Sequence, residues 1–282
     1  MPYTQNEWSD GDSVTSAKLN NLESGVTAVG YEPTTWQAGD VVTAEKLNHL
    51  EQGVADSVDE FMNYLKRDIT EFTITLDMFQ YQDPSDPHWD GYTEEEIEEY
   101  KLEYRSLSTS LNFNGCTKLE TIHGLELIAY FVNPYSFTGT TALSRIDLPN
   151  AKYIGDSTGQ PVFGGTYAES ISLDSATSVN DGSVNGAYKL KYLYMPSVRG
   201  LKNACQGLSA LKKVYIGAGC TSINASCFGG SGANNGAGLV IDCGFAEGAV
   251  SGAPWAATNA TINYNVPDPG SIDAMIEGES NT

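Results

Sequence analysis

The chain has 282 residues, room for one to three domains, and its 15 Lys and Arg against 36 Asp and Glu give a formal net charge of −21. That balance argues against a nucleic-acid groove, which needs Lys and Arg to displace phosphate counterions, and equally against docking to anionic lipid. With 18% charged residues, 29 glycines and a polar balance carried by Ser, Thr and Asn, the composition suits β-rich repeats better than a helix bundle.

The N-terminus, Met1-Pro-Tyr-Thr-Gln-Asn-Glu-Trp8, has no apolar run, and no later segment is long enough to span a bilayer. The expectation is a protein made in a cytoplasm and not exported by the usual route, with no membrane partner. Residues 1–54 hold a tandem duplication at an offset of 28. Trp8-Ser-Asp-Gly11-Asp12-Ser-Val14-Thr15 and Lys18-Leu19-Asn20-Asn-Leu22-Glu23-Ser-Gly25-Val26 return as Trp36-Gln-Ala-Gly39-Asp40-Val-Val42-Thr43 and Lys46-Leu47-Asn48-His-Leu50-Glu51-Gln-Gly53-Val54. Gly-Asp makes a turn, and Thr15 and Thr43 can cap a short helix by accepting from its first free amides. The apolar stripe Leu19, Leu22, Val26 and its copy Leu47, Leu50, Val54 is narrow. A narrow seam suits helices that meet a partner chain. The second stripe continues through Val58, Phe61, Leu65 and Ile69, six steps over 22 residues, about 3.67 per step. That period favours a nearly straight or slightly right-handed bundle.

The duplicated phrases resemble modules near the N-termini of fibre and appendage proteins of tailed bacteriophages, head fibres and tail fibres alike. In such fibres the N-terminal segment grips the virion and the chains commonly form trimers. The resemblance therefore implies a homo-oligomer, a trimer, held to a capsid or other virion protein through residues 1–69, with Leu19, Leu22, Val26, Leu47, Leu50, Val54, Val58, Phe61 and Leu65 at the chain-to-chain seam.

Residues 70–110 differ from both flanks. Phe72, Ile74 and Leu76 alternate as a strand should, and Asp83-Pro-Ser-Asp-Pro-His-Trp-Asp90-Gly is a turn-rich acidic loop. Thr93-Glu-Glu-Glu96 supplies a capping box for a helix carrying Ile97 and Tyr104. This strand and helix are expected to cap the first repeat that follows.

From Leu143 onward a hexad recurs: Leu143-Ser-Arg-Ile146-Asp-Leu148, Ala168-Glu-Ser-Ile171-Ser-Leu173, Leu190-Lys-Tyr-Leu193-Tyr-Met195 and Leu211-Lys-Lys-Val214-Tyr-Ile216, with starts 25, 22 and 21 residues apart. An aliphatic residue follows each start at eleven or twelve positions (Ile154, Val179, Leu201, Ile223), and then a residue such as Phe163, Val184, Cys205 or Phe228 close to a glycine. A period in this range means a solenoid. A degenerate copy starts at Leu119 with Ile122 in step and Phe137-Thr-Gly139 closing it. A last copy starts near Leu239 and ends in the alternating Ile262, Tyr264, Val266, which reads as a terminal capping strand. The phrase Gly115-Cys-Thr-Lys-Leu119-Glu-Thr-Ile122 and the closing Phe-x-Gly phrases resemble BspA-like leucine-rich repeats over residues 111–266. The fold class expected is thus a mainly β solenoid with an N-terminal α-helical oligomerisation segment. The tail 267–282, polar and acidic, is expected to be mobile.

Chemistry is sparse. His49, His88 and His123 stand in three different segments with no metal-ligand spacing. The five cysteines include no Cys-x-x-Cys pair, and Cys205, Cys220, Cys227 and Cys243 fall at inward positions as small hydrophobes. The acidic residues Asp83, Asp86, Asp90 and Glu94–Glu96 lack the order of a calcium loop. The expectation is no enzyme, no cofactor and no metal site, although paired carboxylates for glycoside cleavage depend on the fold and stay open. A binding surface is easier to place. Side chains alternate along a strand, so stacking puts Arg145, Ser170, Tyr192 and Lys213 in one outward column and Asp147, Ser172, Tyr194 and Tyr215 in the next. The ligand-binding patch expected is Arg145, Tyr192, Tyr194, Lys213 and Tyr215, able to stack on sugar rings or grip a protein. The function expected is a structural virion appendage, a head fibre, attaching to host glycan or protein. The alternatives are a polysaccharide-degrading tail fibre or tailspike, and a bacterial surface adhesin, which the missing export signal disfavours.

Overall fold

A strand whose alternate residues are apolar has one oily face, and a short hexad can bury it only against the next coil. A computed structural model, which describes residues 69–79, 93–107 and 111–280, shows this arrangement in the compact unit Asp68–Thr282. The hexads become β4 (Arg145–Asp147), β6 (Ser170–Ser172), β8 (Tyr192–Met195) and β10 (Lys213–Ile216), followed by β12 (Val240–Cys243) and β13 (Thr261–Asn263). These six form one parallel sheet in the order β4-β6-β8-β10-β12-β13. The central hexad residues Ile146, Ile171, Leu193, Val214 and Ile241 are completely buried.

The aliphatic residues eleven or twelve positions on build a second parallel sheet. It comprises β3 (Phe131–Val132), β5 (Tyr153–Ile154), β7 (Ser178–Val179), β9 (Gly200–Leu201) and β11 (Ser222–Ile223), with Val132, Ile154, Val179 and Leu201 in register and buried. Between the sheets the closing phrases stack as a third, turn-based wall: Phe113, Phe137 and Phe163 lie ring on ring at 5.6 Å. Along that wall each coil donates a backbone N–H to the next, as in Gly115 to Thr138, Gly139 to Gly164, Gly165 to Gly186 and Gly207 to Gly229. The result is a β-solenoid of about six turns. Buried hydroxyls are satisfied within the wall: Thr140 Oγ1 donates to the Phe137 carbonyl at 2.8 Å, and Ser183 Oγ to the Asn180 carbonyl at 2.8 Å.

Of the segment expected to cap the first repeat, the structure describes residues 70–79 and 93–107. β1 (Glu71–Thr73) pairs in parallel with β2 (Thr121–His123), and Ile74 is buried, but the strand does not extend to Leu76. Leu76 opens a 3-10 turn, Leu76–Met78, and is 51% exposed. Helix α1 (Glu94–Glu103) begins with the expected capping box: Glu96 N–H donates to Thr93 Oγ1 at 3.2 Å, and Thr93 N–H to Glu96 Oε2 at 2.8 Å.

The tail departs from expectation. Residues of 267–282 form helix α2 (Ile272–Ser280), which lies across β6 and β8. Ser271 starts it, its hydroxyl accepting from Ala274 N–H at 3.1 Å, and Ile272 and Met275 are 1% and 3% exposed. The duplicated module, with its seam at Leu19, Leu22, Val26, Leu47, Leu50, Val54, Val58, Phe61 and Leu65, and the acidic loop at 83–90 lie outside the described residues.

Candidate functional site

The five expected patch residues do come together on the outer face of the first sheet. Lys213 pairs with Tyr192 and Tyr215 with Tyr194, while Arg145 reaches Tyr192 through Ser170. What does not hold is the exposure of two of them: Tyr194 and Tyr215 are 2% and 3% exposed, while Arg145 is exposed and Tyr192 and Lys213 are half-buried. The physical reason is the C-terminal segment. Ile272 and Met275 cluster with both rings, and Tyr192, Val266 and Ile276 pack around them. The two tyrosines stack at 5.6 Å, Tyr194 hydroxyl donates to Asp268 at 2.6 Å, and Tyr215 hydroxyl donates to the Val266 carbonyl at 3.5 Å. Arg145 forks onto both carboxylate oxygens of Asp273 and donates through Nε to Asp147 at 2.6 Å. Arg145, Tyr192, Tyr194 and Tyr215 thus bind the chain's own tail as a strap, while Lys213 pairs with Asp242 at 3.4 Å. The missed signal was Ile272, Met275 and Ile276 at helical spacing behind a capping Ser271.

The electrostatics follow from this cover. Arg145 holds Asp273 below the usual carboxylate range. Burial raises Asp147 in spite of Arg145. Its Oδ1 is buried without a hydrogen-bond partner among the described residues. Burial, with the Asp268 and Asp242 charges, pushes the Tyr215 hydroxyl up to about 12, and burial with Asp268 raises Tyr194 further. A phenol raised in the folded state binds its proton more tightly there than in the unfolded chain. The stabilisation is therefore fully present below pH ~10 and lost as pH climbs toward 12. Truncation after residue 266 is expected to expose both rings. A spectrophotometric titration should then show two tyrosines moving down toward pKa ~10, and alkaline stability should fall less steeply than in the full chain.

A second feature lies beside the strap. At β4 the first sheet stops, and a cleft of about 470 Å³ opens toward β2, lined by residues of 120–126 together with Leu143, Ser144, Arg145, Asp147 and Pro149. His123 Nε2 at its rim pairs with Glu71 at 2.6 Å. A third is a row of aromatic rings beside the second sheet: Tyr104 and Tyr130 at 4.5 Å, then Tyr130 and Tyr153 at 5.0 Å. Lys152 and Glu103 form an ion pair beside it at 2.8 Å, and Tyr153 is 37% exposed.

No protein-family model, curated protein or solved structure matches the chain. Among the described residues no group of three or more His, Cys, Asp and Glu could hold a metal ion, and no helix is long and apolar enough to cross a membrane. All five cysteines are buried thiols outside any disulfide. Burial pushes Cys220 up to about 11 and Cys243 up to about 12, and the neighbouring Cys227 sulfur together with burial raises Cys205 well above its ordinary value. Since the thiolate is the reactive form, a disulfide-exchange reagent at neutral pH should modify none of the five in the folded chain within minutes and all five in denaturant.

Proposed function

We propose that the protein is an appendage of a tailed-bacteriophage particle, a head fibre, whose solenoid of BspA-like leucine-rich repeats presents a surface for weak attachment to host glycan or protein, without cutting it. The observation that carries this reading is the row Tyr104, Tyr130 and Tyr153 with its Lys152–Glu103 pair. Tyr104 follows helix α1, Tyr130 precedes β3 and Tyr153 opens β5, so rings from the cap segment and from two successive coils meet in one row. Such rings offer apolar faces to sugar rings or to a protein surface, and the flanking charges can hydrogen-bond the polar substituents. The duplicated Trp-x-x-Gly-Asp-x-Val-Thr module, with its narrow apolar seam, would gather chains into a trimer on a capsid or other virion protein. Several weak sites on one particle then act through effective concentration.

The test has two arms. Antibody to the solenoid should label intact particles. The purified full chain should sediment with host envelopes, and Tyr130→Ala with Tyr153→Ala should abolish sedimentation while leaving the thermal midpoint within a few degrees. Unlabelled particles, or release of reducing ends from host polysaccharide by the pure protein, would overturn the reading.

A further inference from the structure

The cleft between β2 and β4 is a local opening in a stack that is otherwise continuous. In the same coils β3 pairs with β5, and the turn wall runs on through Phe113 N–H to Ser136 and Phe137 N–H to Val162. On the first sheet every neighbouring pair from β4 to β13 is joined, yet among the described residues no backbone hydrogen bond joins β2 to β4. The cause is in the degenerate hexad. Elsewhere the sixth residue is apolar and buried, as in Leu148 and Leu173, and its N–H continues the ladder, Leu148 to Ser172 and Leu173 to Tyr194. In Leu119-Glu-Thr-Ile122-His-Gly124 that place falls to glycine. Gly124 has φ 81°, and a Cβ on it would overlap the Ile74 carbonyl. The chain turns away there into a 3-10 turn, Leu125–Leu127. Nothing pulls the end of β2 toward β4, and Ile122 is left partly exposed where every hexad centre from Ile146 to Ile241 is buried.

Alternation along a parallel strand fixes which backbone groups face the gap. The β4 residues on either side of Ile146, namely Arg145 and Asp147, aim theirs away from β6, because Ser144 and Leu148 carry bonds to that neighbour. The charges of the lining are unequal. Arg145 is engaged by Asp147 and Asp273, and His123 by Glu71. Glu120 and Glu126 also line the cleft and make no ion pair among the described residues, so the cleft is left acidic. No Phe, Tyr or Trp ring lines it, which disfavours a sugar as the occupant.

We propose that this cleft is a docking site for an extended, basic peptide segment of a partner protein, which pairs as an added strand with the open edge of β4 and sets Lys or Arg side chains against Glu120 and Glu126. Main-chain hydrogen bonds to Arg145 and Asp147 supply the pairing, and the two glutamates select the charge.

The probe is a fluorescein-labelled, end-blocked heptapeptide of alternating lysine and valine, titrated into the full chain by anisotropy, with hydrogen exchange read by NMR. The expected result is saturable binding, with slowed exchange of the Arg145 and Asp147 amides. The same peptide N-methylated at alternate residues should bind at least about tenfold more weakly, since it cannot donate to a strand edge. Glu120→Lys with Glu126→Lys should weaken the unmodified peptide to a similar degree at an unchanged thermal midpoint. Equal binding of the methylated peptide, protection confined to residues outside 120–126 and 143–149, or no binding would each overturn the proposal. So would protection of these amides by chitotriose where the peptide gives none.

Discussion

Replacing Phe137 by alanine is expected to destabilise the solenoid by about 3–5 kcal/mol, the usual range for removing a buried aromatic ring. Phe137 is completely buried and stands between Phe113 and Phe163 at 5.6 Å on each side. Removing it therefore deletes two ring contacts along with the apolar area. The site has little means of collapse, because the backbone on either side is fixed by N–H bonds from Phe137 to Val162 and from Gly139 to Gly164. A solenoid's stability is roughly a sum of coil and interface terms, so the loss should be local. Hydrogen exchange should speed up most in residues 111–165 and least around β10 and β12. A urea titration gives the size of the effect, and a change under about 1 kcal/mol would mean that the phenylalanine wall does not hold these coils together.

The wall and both sheets were legible because they are periodic. A buried strand position must be apolar in every coil, so Ile146, Ile171, Leu193 and Val214 announce one sheet, and Ile154, Val179, Leu201 and Ile223 announce the other. The inward cysteines were legible for the same reason: Cys205 stands where neighbouring coils carry Val or Phe. The strap was not, because Pro267-Asp-Pro-Gly270 reads as the end of order and the helix behind it has only Ile272, Met275 and Ile276 to bury. The tyrosine columns were placed correctly but given to solvent, since a strand pattern shows which way a side chain points and not what lies over it. The cleft left the faintest trace, a missing apolar residue at Gly124 in a copy already recognisable as degenerate. Its consequence, an unpaired edge on β4, needs the positions of two coils at once.

The two glycines of Ile216-Gly217-Ala218-Gly219 should respond in opposite directions to alanine. Gly217 directly follows β10, and its N–H donates to the Met195 carbonyl at 3.1 Å. A Cβ there would fall within the Pro196 carbonyl group and 3.0 Å from Pro196 Cα. Both obstacles are backbone, in a coil fixed on either side by ladder bonds, so neither a rotamer change nor a small shift relieves the overlap. Gly217→Ala is expected to cost about 3 kcal/mol or more, enough to lower the denaturation midpoint sharply in a chain of ordinary stability. Gly219 has no atom within 4 Å of a would-be Cβ and no left-handed backbone angle. Gly219→Ala should therefore be neutral or stabilise by about 0.4–1 kcal/mol through the unfolded chain. Paired thermal and urea unfolding of the two variants decides the matter. Equal midpoints would mean that coils 190–196 and 211–217 do not approach as closely as their shared ladder requires, whereas a gap between the variants of more than about 2 kcal/mol ties the Gly after β10 to the Pro that precedes it by one coil.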